Sequence, residues 1–491
     1  MSDRPTLSPT LKPLQVGALA LGCIIGFGCF VLPGDFLITA GPLGATLGVL
    51  LGGAAMLIIA RSYGVMVRAF PVAGAEFAYA YHACGRYHAY VCGWFLALGY
   101  LSIVPLNATA LAVLGKFVAP QLFARGYLYT VAGFEVFAGE VLLGSAAIVG
   151  IGLFQIRGVR SVGHLQVGMT ALLVGGVLVV GLGTPVSGAA SALNLQPYFA
   201  PDRGPLAGVL AMLAIAPWLY VGFDTLPQAA EEFDFSPRQG LRLMVLSIGA
   251  GAVMYAVVIL ATASVMPWQD LVAGEPLWAT GTTVRESLGV VGLTCLALAV
   301  TMAVFTGING FFMASSRLLF GMGRAKLLPS WFAEIHPTHH TPANAILFVG
   351  VVSLAAPWFG REVIVWVVDM AALGTAFGYF YTCLAAARLA QTGQVDTGPG
   401  GRRYALVGAA LSVGFIVLLS APGMPGFMAT PSWIALAFWV GLGLAFFAGT
   451  SEYRSLPAGE LDHLILRRYR SHASARPFSP PTVEGHKTHS T

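Results

Sequence analysis

The sequence predicts an all-α integral membrane protein of about twelve transmembrane helices, arranged as a five-plus-five inverted repeat with two additional C-terminal helices. Three observations carry this expectation. Of 491 residues, 57% are hydrophobic and 10% charged, with a mean hydropathy of +0.77, whereas a soluble domain carries about 25% charged residues. Apolar segments fall near 14–33, 42–67, 88–114, 135–155, 162–183, 205–230, 241–266, 288–321, 343–359, 363–387, 404–421 and 432–449, each close to the ~20 residues that span a hydrocarbon core. Finally, the first and sixth segments contain residues that a continuous helix tolerates poorly.

Residues 1–13 read as a short polar N-terminus on the cytoplasmic side. No small-residue cleavage site follows at a convincing distance, so the first segment reads as a retained helix and not as a signal peptide. Counted loop by loop with both termini inside, twenty-one of the 26 lysines and arginines lie on the inner side, and Lys116, Arg125, Arg203, Arg285 and Arg361 on the outer side. That bias orients a multi-pass protein of the cytoplasmic membrane with both termini cytoplasmic. The net charge of +5 therefore reads as topology and calls for no nucleic-acid partner. Cys23, Cys29, Cys84, Cys92, Cys295 and Cys383 show no CxxC spacing and read as free buried thiols, with no metal or cofactor site.

The first break is Gly22-Cys23-Ile24-Ile25-Gly26-Phe27-Gly28-Cys29-Phe30-Val31-Leu32-Pro33-Gly34. Each glycine weakens a helix by about 1 kcal/mol relative to alanine. Unwound backbone at membrane depth is tolerated only where protein or a water-filled cavity covers it, which makes the stretch a candidate binding site. The competing reading is a small-xxx-small packing face formed by Gly22 and Gly26. The Phe70-Pro71-Val72-Ala73-Gly74-Ala75-Glu76 run that ends the second segment reads as an inside loop. In the third segment Tyr100, Ser102, Pro105, Asn107 and Thr109 are polar or helix-breaking among apolar neighbours, and such groups face other helices or a cavity. Asn107 is a candidate polar group of that cavity.

The sixth segment is broken by Pro217, Gly222, Asp224 and Pro227. A proline inside a helix removes a donor and costs about 3 kcal/mol or more, and Asp224 facing lipid would be costly. A kinked packing helix with a structural aspartate is the plainer reading. Interrupted helices at corresponding places in two halves are, however, the sequence pointer to a transporter's midplane site. The halves would be residues 14–183 and 205–387, followed by helices eleven and twelve (404–449) and a largely disordered cytoplasmic tail (450–491). His336, His339 and His340 read as a solvated loop. Asp369 reads as lying either near the membrane centre or near the outer end of its helix.

Four motifs in order carry a resemblance. They are the Gly22–Gly34 stretch, Phe70-Pro-Val-Ala-Gly-Ala-Glu76, Val221-Gly-Phe-Asp-Thr-Leu-Pro-Gln-Ala-Ala-Glu-Glu232, and Ser316-Arg-Leu-Leu-Phe-Gly-Met-Gly-Arg-Ala-Lys-Leu-Leu-Pro329. Over residues 12–450 the chain resembles the amino acid–polyamine–organocation permeases. The resemblance implies an inverted-repeat fold and alternating-access transport of amino acids or related amines. It implies that the substrate carboxylate rests on backbone amides at Ile24, Gly26, Phe27 and Gly28. The ammonium would rest on carbonyls there and around Ala216, Trp218 and Val221, with Cys23 and Gly222 beside them. Trp218 and Asp224 keep the six-residue spacing of a tryptophan and an acid in the family's arginine/agmatine antiporter, and Phe311 falls at its aromatic gate. Cys23 replaces that antiporter's asparagine, which argues against arginine. The region Thr170 to Gly175 lacks the lysine by which a proton-coupled relative works.

The expected activity is secondary transport of a small-molecule substrate, a neutral α-amino acid, by proton-linked symport or exchange with Asp224 as proton carrier. The alternatives are polyamine transport, amino acid/amine antiport, and sodium coupling through Thr306, Asn309 and first-helix carbonyls near Cys23. A channel, a receptor and a membrane enzyme rank below these. No HExxH, GxSxG or paired-carboxylate spacing falls within the spans, so no catalytic residue is assigned.

Overall fold

A computed structural model describes Leu7 and residues 9–466, apart from 132–133, 275, 277, 361, 394 and 396. Among the described residues, ten helices are long and apolar enough to cross a membrane, and shorter apolar helices occupy Pro205–Ala214 and Ala343–Phe359. The protein is an all-α, multi-pass membrane protein. Its β-structure, among the described residues, is a two-stranded antiparallel hairpin, Tyr127–Val131 against Phe134–Phe137, and an isolated parallel bridge between Leu11 and Phe233.

Both suspected breaks are real. The first segment is helical over Pro13–Ile25, opens at Gly26 with φ 45°, and resumes as a single turn over Gly28–Val31. The sixth runs as Pro205–Ala214, Ala216–Leu219, an irregular turn through Gly222 with φ 140°, and Thr225–Gln228. These positive φ values are readily adopted by glycine and strained for a residue with a Cβ. Segment one sits among the fifth, seventh and eighth helices, and segment six among the second, eighth and tenth. Close crossings depend on missing side chains: a Cβ at Gly48 would lie 2.4 Å from Met212 Cβ, and one at Gly176 would lie 2.1 Å from Ala299 Cβ.

Several boundaries differ from the sequence reading. Helix eight begins at Ala279 and turns at Gly289, whose φ of 66° joins two helical pieces. The Phe70–Glu76 stretch, which reads as an inside loop, is irregular only as far as Gly74 and is largely buried. Gly74 takes a left-handed conformation, and Ala75–Cys84 folds back as a helix that buries Glu76 completely. The tail is folded as far as 466: Arg86 binds the carbonyls of Tyr453 and Leu456 through its two terminal nitrogens at 3.2 and 2.9 Å, and Leu461 and Ile465 are buried. Residues 467–491 lie outside the described residues. Asp369 accepts from Ser432 Oγ at 2.8 Å and from the Ala429 amide at 3.3 Å, so it caps the start of the Thr430–Gly449 helix.

The end of segment six is anchored by buried ion pairs. Arg317, fully buried, binds Glu232 through Nε at 2.7 Å, and Arg324 meets Glu231 at 3.0 Å. The N-terminal stretch is tied to the same place, since the Thr10 and Leu11 amides both donate to the Glu232 carbonyl at 2.9 Å and Lys12 pairs with Asp234. Removing one partner of a buried pair leaves an uncompensated charge and costs about 3–5 kcal/mol. Arg317→Ala is expected to lower the detergent-solubilised melting temperature sharply, and Arg317→Met combined with Glu232→Leu to recover most of the loss.

Candidate binding site

The two breaks meet. A Cβ on Gly222 would lie 2.6 Å from the Ile24 amide nitrogen and 2.7 Å from Cys23 Cβ, so the turn in segment six rests directly on the opening in segment one. Beside this junction is a small, partly open cavity of about 20 Å³. Its wall contains Cys23, Ile24, Gly26, Phe27, Gly28, Trp218, Val221, Phe311 and Asn107 from the sequence-predicted set, together with Ile25, Ile103 and Tyr255. The Phe27 and Trp218 rings stand 6.0 Å apart across it. Gly28 is needed for the close approach of Trp218, whose Cη2 would be 2.7 Å from an added Cβ.

Tyr255 carries no signal in the sequence, because a single tyrosine in a largely apolar seventh segment breaks no local rule. Its hydroxyl reaches the Ile24 and Ile25 carbonyls at 3.2 and 3.3 Å, so it holds the frayed C-terminal end of the first half-helix, where carbonyls lose their helical partners. Ala216 does not line the cavity. It packs on segment two, where a Cβ at Gly52 would lie 2.8 Å from its own.

Asp224 also stands outside the cavity, one layer behind it, because its carboxylate turns back to hold the break. Oδ1 accepts from the Gly222 amide at 2.7 Å, and Oδ2 from the Tyr100 hydroxyl at 2.9 Å. The same hydroxyl is 3.2 Å from Glu76 Oε1. Glu76 in turn receives Tyr63 at 2.9 Å and the Gln228 amide. Asp224 and Glu76 are both fully buried. The Tyr100 ring lies 6.0 Å from that of Phe311, so the acids connect to the cavity wall through one residue.

Thr306 and Asn309 lie on the far side of segment one, in an amide network. Asn309 Oδ1 accepts from Gln155 at 2.7 Å while its Nδ2 donates to Gln166 at 2.7 Å. Gln166 and Thr170 donate to the Ala18 carbonyl at 3.3 and 2.9 Å, and Thr306 to that of Gly22 at 3.0 Å. The first-helix carbonyls that a cation would need are thus bound by neutral donors. Thr170 belongs to the fifth-helix region in which no lysine occurs, and Gln166 lies one turn before it.

The fold and this junction define a polytopic helical membrane protein with a cavity beside two helix breaks, the kind of place where transporters bind their substrates. Comparison with known proteins makes the class specific. The amino acid permease family matches residues 11–445, and the chain belongs to that family. It is 26% identical over 377 residues to the methylthioribose transporter of Bacillus subtilis (strain 168), covering 73% of this chain and 76% of that one. It is 25% identical to a branched-chain amino acid permease of the same organism, over 72% and 75% of the two chains. A probable GABA permease of Pseudomonas aeruginosa is 26% identical over 80% of this chain and 81% of its own.

Proposed function

We propose that this permease moves a neutral α-amino acid across the cytoplasmic membrane by alternating access, as a proton-linked symporter or exchanger. The carrying observation is the small cavity at the junction of the two breaks. Backbone groups of opened helices offer both amides and carbonyls to a zwitterion, and aromatic walls enclose the rest. No carboxylate lines this cavity among the described residues, which favours a zwitterion over a polyamine. The relatives named for methylthioribose, branched-chain amino acids and GABA support a small organic solute. In this reading residues 14–183 and 205–387 are the two repeats, 404–449 is an appendage, and the basic end faces the cytoplasm.

The coupled ion in this proposal is the proton. A tyrosine hydroxyl has one hydrogen to donate, yet Tyr100 contacts both Asp224 and Glu76. Both contacts are hydrogen bonds when one of the carboxyls holds a proton and donates it to the tyrosine oxygen. Loss of that proton puts two negative charges around one hydroxyl and alters the hold of Asp224 on the Gly222 amide, and so the turn that abuts Ile24. Sodium has less support, since the carbonyls of Ala18 and Gly22 already have partners. Replacing sodium with choline on both sides of a proteoliposome is expected to leave uptake within about twofold, because binding by mass action requires a site to titrate.

A thermal-shift screen of the purified permease against amino acids and polyamines tests the substrate class. A ligand at 100 times its Kd adds about 2.7 kcal/mol of stability. Neutral amino acids are expected to raise the melting temperature. Stabilisation by putrescine or cadaverine, with none from any compound bearing a carboxylate, would contradict the proposal.

A further inference from the structure

One polar atom in the cavity wall has no task in the fold. Asn107 is 2% exposed, and its Nδ2 donates to the Ile103 carbonyl at 2.9 Å. A carbonyl only accepts, so this bond sets the amide orientation and leaves Oδ1 without a bond of its own. Oδ1 is buried without a hydrogen-bond partner among the described residues. Of the other polar side chains of the wall, Tyr255 is engaged on the Ile24 and Ile25 carbonyls, and Cys23 on that of Thr306 at 3.8 Å. Opposite the amide the chain has Gly307, where a Cβ would lie 2.5 Å from Oδ1. Bare backbone is therefore what lets Asn107 sit there. Buried acceptors are almost always satisfied, and leaving one unsatisfied carries the full desolvation cost of the group.

We infer that Asn107 Oδ1 receives a hydrogen-bond donor from the substrate's side chain, so that the permease selects amino acids with a hydroxyl or N–H group there over apolar ones of the same shape. This rests on the reading that the cavity takes amino acids. It narrows the class: the aromatic wall accepts the carbon skeleton, and Asn107 adds a polar requirement at one position. A site that hydrogen-bonds a hydroxyl discriminates strongly against the analogue lacking it, because its own acceptor is then left unpaired.

The test uses matched pairs as competitors in proteoliposome uptake: threonine against valine, serine against 2-aminobutyrate, asparagine against leucine, and tyrosine against phenylalanine. In the best-bound pair the donor-bearing member is expected to compete about tenfold more strongly. In Asn107→Leu, a substitution of similar volume, the ratio should fall to about one or invert. The inference is overturned if amino acids bind but no pair favours its donor-bearing member, or if a folded Asn107→Leu protein keeps the preference. Binding of no amino acid at all would instead remove the proposed function on which it rests. The wild-type ratio decides even where the variant does not fold.

Discussion

Asp224→Asn is expected to abolish the accumulation of substrate driven by a pH gradient while leaving the protein folded. One coupled proton transfers about 1.36 kcal/mol for each pH unit, so a one-unit gradient sustains about tenfold accumulation at equilibrium. In the variant the ratio should fall to about one. Asparagine keeps an oxygen for the Gly222 amide, and its nitrogen can donate to the Tyr100 oxygen, so the turn through Gly222 is preserved; what it loses is the exchangeable proton. Glu76→Gln should behave alike, because the Tyr100 hydroxyl bridges the two acids. Uptake in liposomes with imposed pH gradients reads both. Full pH-driven accumulation in either folded variant would remove that acid from the coupling.

The second large effect is structural and concerns Gly222→Ala. The position combines φ 140° with contacts of 2.6 and 2.9 Å from an added Cβ to the Ile24 nitrogen and Cys23 carbonyl carbon. Both are main-chain atoms, which cannot swing aside as a flexible side chain would. The methyl group must therefore separate the two broken segments or distort them, at a cost of about 3 kcal/mol or more. Ligand-free melting temperature and ligand binding should both fall. Gly249→Ala, on the seventh helix with open space around its Cβ position, is the matched control and should leave stability within about 0.5 kcal/mol.

How far the site could be read from sequence depended on whether a residue broke a local rule. Glycines and prolines inside membrane-length apolar runs are costly locally, so both breaks stood out, as did Asp224. That the breaks touch, Gly222 on Cys23 and Ile24, is a contact across about two hundred residues with no pattern to announce it. Glu76 reads from sequence as part of an inside loop, because Pro71 and Gly74 punctuate the run. The same Gly74 supplies the left-handed turn from which a buried helix starts. Tyr255 and Tyr100 act through hydroxyls aimed at distant carbonyls and carboxylates, which composition does not reveal. The Tyr127–Phe137 hairpin is not legible in sequence, because its first strand reads as a connection and most of its second falls within the fourth apolar segment, 135–155.

Counterflow tests the central claim most directly. Proteoliposomes preloaded with an unlabelled neutral amino acid, selected by the thermal-shift screen, are diluted into a trace of the labelled compound with no ion gradient. A carrier whose cavity opens alternately to each side should show transient accumulation of label that saturates with external substrate and requires the internal load, and should return the label chemically intact. Flux that neither saturates nor depends on the internal load, or a conductance accompanying it, would contradict alternating access at the junction of the two broken helices.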